Sequence, residues 1–190
     1  MTYDGIAREA WLKELVEQHP WNVRHALAAF SLLGVPSSLL DIGCGDGAVC
    51  ETARALGCPT IGVDQLVEEL MPGYFNANLV ERFVAPFPMH MVWCIETAEH
   101  LDSSAHATLC DTLTENLMEG RGNYLVFSAA YPNQGGMGHV SERPSKYWLD
   151  QFSLRELGFR KDLTVSLALL WSNIGSPLYW LASNVMVFEK

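Results

Sequence analysis

The sequence predicts an α/β fold: a single three-layer domain built on a seven-stranded, mostly parallel sheet that ends in an antiparallel hairpin, with two helices ahead of the first strand. Three observations carry this expectation. From Leu39 onward, short apolar runs alternate with helix-patterned segments, the order that builds a parallel sheet covered on both faces. The run from Leu39 to Gly47 turns an apolar strand into a glycine loop that opens a helix. Near the end, two long apolar segments are separated only by the turn-rich Ser172-Asn173-Ile174-Gly175-Ser176-Pro177, a hairpin signal.

Taken in order, residues 4–18 place Ile6, Trp11 and Leu15, with Leu12 and Val16 nearby, at helical spacing. Residues 22–33 repeat the pattern with Val23, Leu27, Phe30 and Leu33. Pro20 separates the two helices, and Gly34 with Pro36 stops the second. Strands are expected near 38–42, 59–63, 79–84, 90–95, 122–129, 162–170 and 179–188, with helices near 47–56, 65–70, 103–118 and 145–157. The chain contains no internal repeat, low-complexity tract or linker.

At 190 residues and 49% hydrophobic, the chain is long enough for one well-buried core and too short for two ordinary domains. Its five cysteines (Cys44, Cys50, Cys58, Cys94, Cys110) include no C-x-x-C pair and fall mostly inside apolar runs. They read as reduced, buried residues of a cytoplasmic protein. No secretory signal and no run of membrane-spanning length is evident. A formal charge of −10, with no Lys/Arg run, disfavours nucleic acid as a substrate.

The glycine loop reads Asp41-Ile42-Gly43-Cys44-Gly45-Asp46-Gly47, a D-x-G-x-G-x-G pattern. Glycines let the backbone turn sharply and approach a ligand, while Asp41 brings a carboxylate to the strand end. Dinucleotide folds prefer G-x-G-x-x-G, whose helix amides face a pyrophosphate. An acidic entry instead suits a ligand carrying an amine or sulfonium cation. Asp64 ends the next strand, at the distance where an acidic residue takes ribose hydroxyls. On these residues the chain resembles the class I, Rossmann-like S-adenosylmethionine (SAM) methyltransferases: Asp41, Gly43, Gly45 and Gly47 match their first motif, and Asp64 matches the acidic residue ending their second strand. The resemblance implies SAM as cofactor, held by Asp41, Ile42, Gly43, Cys44, Gly45, Gly47, Asp64 and Gln65. It further implies a methyltransferase domain over residues 36–190, with residues 1–35 as a helical cap within the same domain.

A second constellation follows the fourth strand, in Glu96-Thr97-Ala98-Glu99-His100-Leu101. Carboxyl ends of strands form the ligand crevice of an open α/β sheet, so this segment is expected beside the glycine loop. On a helical turn, Glu96, Glu99 and His100 share one face. The loop 131–144, with three glycines and two prolines, brings His139 to the same crevice, and Tyr147 and Trp148 are expected to line the acceptor pocket. Such a cluster is either a metal site or a hydrogen-bonded catalytic group. The E-x-x-E-H segment with a later His resembles the metal site of small-RNA 3′-terminal 2′-O-methyltransferases. That resemblance implies Glu96, Glu99, His100 and His139 as ligands of a divalent metal, Mn²⁺ or Mg²⁺, the mixed donors suiting Mn²⁺ better. The same residues also read as polar groups that only tie down the turn.

An alcohol is a poor nucleophile until deprotonated, so the cluster favours O-methylation of a small hydroxylated acceptor, with His139, His100 and Glu96 as catalytic residues. RNA 2′-O-methylation and a non-catalytic SAM-binding module are the alternatives. Where related sequences carry an acidic adenine contact in the third strand, this chain has Glu81-Arg82-Phe83-Val84-Ala85-Pro86, which leaves Val84, Ala85 or Glu81 to meet the base. His19, His25, His90 and His106 read as surface or capping residues. Trp11, Trp21, Trp93, Trp171 and Trp180 read as core or pocket wall.

Overall fold

A computed structural model describes residues 5–66 and 72–190. Helix α1 (Gly5–Leu33) leads into strand β1 (Leu39–Ile42), helix α2 (Ala48–Ala55), and strands β2 (Thr60–Asp64), β3 (Tyr74–Asn76) and β4 (Met91–Cys94). Two 3₁₀ turns, Ala98–His100 and Ser103–Ala105, precede α3 (His106–Asn116) and β5 (Tyr124–Phe127). Then follow α4 (Ser145–Ser153), β6 (Gly158–Phe159), α5 (Lys161–Ser172), α6 (Trp180–Asn184) and β7 (Met186–Glu189).

The sheet order is β3-β2-β1-β4-β5-β7-β6, with β7 antiparallel to both β5 and β6 and the other neighbours parallel. The expected seven-stranded, mostly parallel architecture with an antiparallel closing pair is thus present. Strand periodicity of two sorts side chains into two layers. Leu40, Ile42, Val92, Cys94, Leu125 and Phe127 face α3 and α4 through Leu109, Leu113, Trp148 and Phe152. Leu39, Met91, Trp93 and Val126 face α1, α2 and α5 through Phe30, Val49, Ala53 and Leu167. Because β1 and β4 are buried throughout, their carboxyl ends open on a rim where side chains turn from core to ligand.

Four element boundaries differ from expectation. Two helices were expected before β1, but α1 runs unbroken through Pro20. Proline removes one hydrogen bond to the carbonyl four residues back, and both Pro20 and Val16 are exposed, so water meets the carbonyl left over. Segment 162–170, expected as a strand from its apolar alternation, is helical in α5. Leu167 and Trp171 are buried while Val165 and Leu169 are exposed, the i, i+4 spacing of a helix. The expected strand 179–188 divides into α6 and β7. The expected strand 79–84 is irregular, and the edge strand β3 lies earlier, at Tyr74–Asn76. The expected helix 65–70 falls largely outside the described residues, as does residue 4.

The irregular segment is held by side chains of α3: Thr112 Oγ1 accepts from Phe83 N (3.3 Å), and Asn116 makes the shorter bonds. Asn116 Oδ1 accepts from Ala85 N (2.7 Å), while its Nδ2 donates to the carbonyls of Phe83 (2.8 Å) and Thr112 (2.7 Å). These bonds take the place of a strand ladder. Asn116→Ala, which orphans a buried amide and two carbonyls, should lower stability by about 1–3 kcal/mol in urea unfolding.

Candidate active site

The donor loop grows directly out of β1. Gly43, Gly45 and Gly47 all adopt left-handed backbone (φ 77°, 52° and 81°), a region that glycine enters without cost. A side chain at Gly43 would collide with Thr97, and one at Gly47 with the Tyr74 hydroxyl. Gly43 N and Cys44 N donate to the Val63 carbonyl (2.8 and 3.2 Å), fastening the loop to β2. Asp64 completes the clasp: Oδ2 accepts from Gly45 N (3.0 Å) and Oδ1 from Leu66 N (2.9 Å). Burial raises its carboxyl above the ordinary range, and those amides only partly restrain the shift.

Asp41 is more extreme. It is 2% exposed, and burial pushes its carboxyl up to about 8, against a weak Cys50 thiol contact of 3.6 Å. Asp46 bridges to α1 through His19 Nδ1 at 2.7 Å. All five cysteines are buried and free, as expected.

A single cavity of about 1010 Å³ joins this loop to the second constellation. Ile95 and Glu96 leave β4, and Glu96 takes left-handed backbone (φ 47°), a strained state for a residue with a side chain. Glu96 Oε1 accepts from Ser128 Oγ (2.8 Å) and Asn184 Nδ2 (3.2 Å), and Oε2 from Gln134 Nε2 (3.1 Å). Glu96 therefore ties β5, α6 and the 131–144 loop together.

Glu99, His100 and His139 do converge. A carboxylate oxygen and one nitrogen of each imidazole lie within 4.8 Å of one another. The Glu99 side chain is 0% exposed, and neither oxygen has a hydrogen-bond partner. Burial first, and then the neighbouring Glu96, raise its carboxyl well above the ordinary range. Burial, with His139 adding, brings His100 down to about 4, so its ring is neutral at pH 7 and its Nδ1 is unpartnered. Trp11 from α1 packs edge-on against His100 (4.9 Å), and His139 does the same from the other side (5.0 Å).

His139 stands between two carboxylates. Nδ1 lies 2.9 Å from Glu142 Oε1, and Nε2 lies 4.0 Å from Glu99 Oε1. Glu142 also accepts from Asn133 N (2.6 Å) and Gly135 N (2.7 Å), so one carboxylate both closes the loop and orients the imidazole. Val140 N and Ser141 N donate to the Glu99 carbonyl (2.9 and 3.1 Å), docking the loop on the 3₁₀ turn. Gly136 is required by the same packing, since a side chain there would strike the His139 ring.

Of the residues singled out from sequence, Asp41, Gly43, Cys44, Gly45, Asp64, Gln65, Glu96, Glu99, His100 and His139 line this cavity, and Ile42 and Gly47 flank it. Glu96 is not part of the converging donor set. Trp148 does not line the pocket: it is fully buried between Phe127 and the His106 ring, and Tyr147 meets His106 Nδ1 at 3.2 Å. His25 and His106 are buried, not surface residues. Asn78, Leu79 and Val80 line the donor half where Glu81, Val84 and Ala85 were expected. Glu142 and Asn184 were missed. Glu142 sits three residues after His139, a spacing that signals contact, whereas Asn184 carries no local sign.

No family model matches the chain, and no curated protein matches it in sequence. Solved structures do match. The sugar N-methyltransferase KedS8 from Streptoalloteichus sp. superposes with a TM-score of 0.60 at 14% identity, over 91% of this chain and 86% of that one. Human N-acetylserotonin methyltransferase in complex with SAM superposes with a TM-score of 0.56 at 15% identity over 95% of this chain, which spans only 55% of the human protein. The N-methyltransferase NodS from Bradyrhizobium japonicum, in complex with S-adenosylhomocysteine, gives 0.54 at 22% identity over 76% of both chains. Among the described residues no helix is long and apolar enough to cross a membrane. The chain has the Rossmann-like fold of the class I SAM-dependent methyltransferases.

Proposed function

We propose that the chain transfers the methyl group of SAM to a small-molecule acceptor, with residues 36–190 forming the transferase domain and residues 1–35 its cap. One observation carries this reading: the acidic glycine loop and the His139–Glu142 pair open into one cavity. The donor carries a sulfonium and an ammonium, and Asp41 offers a buried carboxylate with no cation beside it. Asp64 would take the ribose hydroxyls, and the backbone from Ile42 to Gly47, with Gln65, would enclose the donor. The wall from α1, with Trp11, Leu15 and Gln18, supports the cap assignment.

Methyl transfer is an in-line displacement, so holding nucleophile, methyl carbon and sulfur in line is the main contribution of the site. A hydroxyl, or an amine that arrives protonated, must also lose a proton. His139 is suited to take it: Glu142 occupies Nδ1, which leaves Nε2 facing the cavity and the ring fixed in orientation. His100 is the weaker base of the two candidates, because burial brings its imidazole down to about 4 and disfavours the protonated form.

A second reading has a specific observation behind it. The unpartnered Glu99 carboxylate and His100 Nδ1, converging with His139, fit a divalent cation of the Mn²⁺ kind. Glu99, His100 and His139 would hold it, without Glu96, and its charge would acidify an acceptor hydroxyl.

Calorimetry and transfer of labelled methyl from SAM test the function; failure to bind SAM would sink it, and binding without transfer to any acceptor would leave only a SAM-binding module. His139→Ala should cut turnover by about 10²-fold or more while donor binding persists. Gly136→Ala, which displaces the imidazole without removing it, should also slow turnover, by about 10-fold or more. A proton balance gives a separate check. Asp41 titrates near 8 in the folded protein against 3.8 ordinarily, so the free protein loses stability as pH rises through that window. A cationic donor favours the ionised form, so SAM binding at pH 7 should release up to one proton, and none above about pH 9, in calorimetry across buffers of different ionisation enthalpy.

A further inference from the structure

Among the described residues, the cavity is lined by seven carboxylates and by no lysine or arginine. The basic residue closest in sequence to the acceptor end, Arg143, lies over the Tyr147 ring at 5.5 Å, outside the lining. Asp41 and Asp64 lie on the glycine-loop side, yet Glu14, Asp46, Glu96, Glu99 and Asp102 remain. An acceptor bearing phosphate, sulfate or carboxylate would meet carboxyl groups and no lysine or arginine to pair with.

Two of these carboxylates differ in a way that points to a ligand. Glu96 is met by Ser128, Gln134 and Asn184. Glu99, fully buried and lining the same cavity, has no hydrogen-bond partner on either oxygen, and His139 Nε2 stands off at 4.0 Å. A buried carboxylate without a partner is costly, and a group that arrives carrying both N–H donors and positive charge satisfies it best. Beside it, the Trp11 ring and the apolar side chains of Met137 and Leu178 line the cavity, a surface that suits the hydrocarbon body of such a ligand and the face-on approach of a cation.

We propose that the methyl acceptor is a small organic amine on an apolar or aromatic frame, which docks its nitrogen against Glu99, and that the site rejects anionic acceptors. The proposal rests on the methyl-transfer reading and turns the expected nucleophile from oxygen to nitrogen. It also sets aside the RNA 2′-hydroxyl. In the transfer itself the docked nitrogen gives one N–H proton to His139 Nε2. Its freed lone pair forms the N–C bond as the C–S bond breaks, and that bonding pair leaves on sulfur as the neutral thioether.

The test uses matched probes on one frame: phenethylamine, 2-phenylethanol and phenylacetate, titrated by calorimetry into protein saturated with S-adenosylhomocysteine, alongside MnCl₂ alone. The amine should bind at least tenfold more tightly than the alcohol, phenylacetate should show no binding, and Glu99→Gln should reduce the amine preference to below threefold. Equal affinities, tighter binding of the alcohol or the carboxylate, or no binding by any probe would overturn the proposal. So would stoichiometric Mn²⁺ binding that Glu99→Gln abolishes, since the metal would then be the occupant. Absence of S-adenosylhomocysteine binding would overturn the methyl-transfer reading itself, and this proposal with it. The comparison among probes on the unmodified protein holds even if the Glu99 variant fails to fold.

Discussion

Burial of carboxyl groups at the carboxyl ends of adjacent strands is the constraint around which this molecule is organised. Asp41 lies near the end of β1, Asp64 ends β2, and Glu99 follows β4, and among the described residues no lysine or arginine lines their cavity. Desolvating a carboxylate costs several kcal/mol even after relaxation. A hydrogen bond from a neutral donor returns only about 0.5–1.5 kcal/mol net. The two amides on Asp64 therefore soften its shift without cancelling it, and Asp41, with only a long thiol contact, remains near 8. The same burial that raises these carboxyl groups lowers His100.

The geometry of the glycine loop was legible in the sequence because its causes are local. Three glycines at alternate positions demand left-handed backbone, and Asp64 ends a strand whose register beside β1 follows from its apolar pattern. Nothing in those steps depends on distant residues. The acceptor half was legible only as a list of chemical groups. Glu96 was expected on one helical face with Glu99 and His100, but its left-handed backbone and its bonds to Ser128, Gln134 and Asn184 carry it elsewhere. Those partners lie 32, 38 and 88 residues away in sequence, beyond the reach of any spacing rule.

Misreadings in the fold have the same origin. The apolar alternation of 162–170 fits a strand as well as a helix, and only packing of Leu167 and Trp171 against α1 and the sheet decides between them. Trp148, adjacent to a promising loop, is drawn into the core by Phe127 and Phe152. For segment 79–88, a polar side chain on α3 does the work of a neighbouring strand.

Pro20 divides α1 into two parts with different duties. Below it, Ala26, Ala29 and Phe30 are rooted in the core. Above it, Trp11, Glu14 and Leu15 wall the cavity, and His19 reaches the donor loop. Proline cannot make one of the backbone bonds at the junction, the place where helices bend most readily. The helix that walls the cavity is therefore weakest between the part rooted in the core and the part that lines the site.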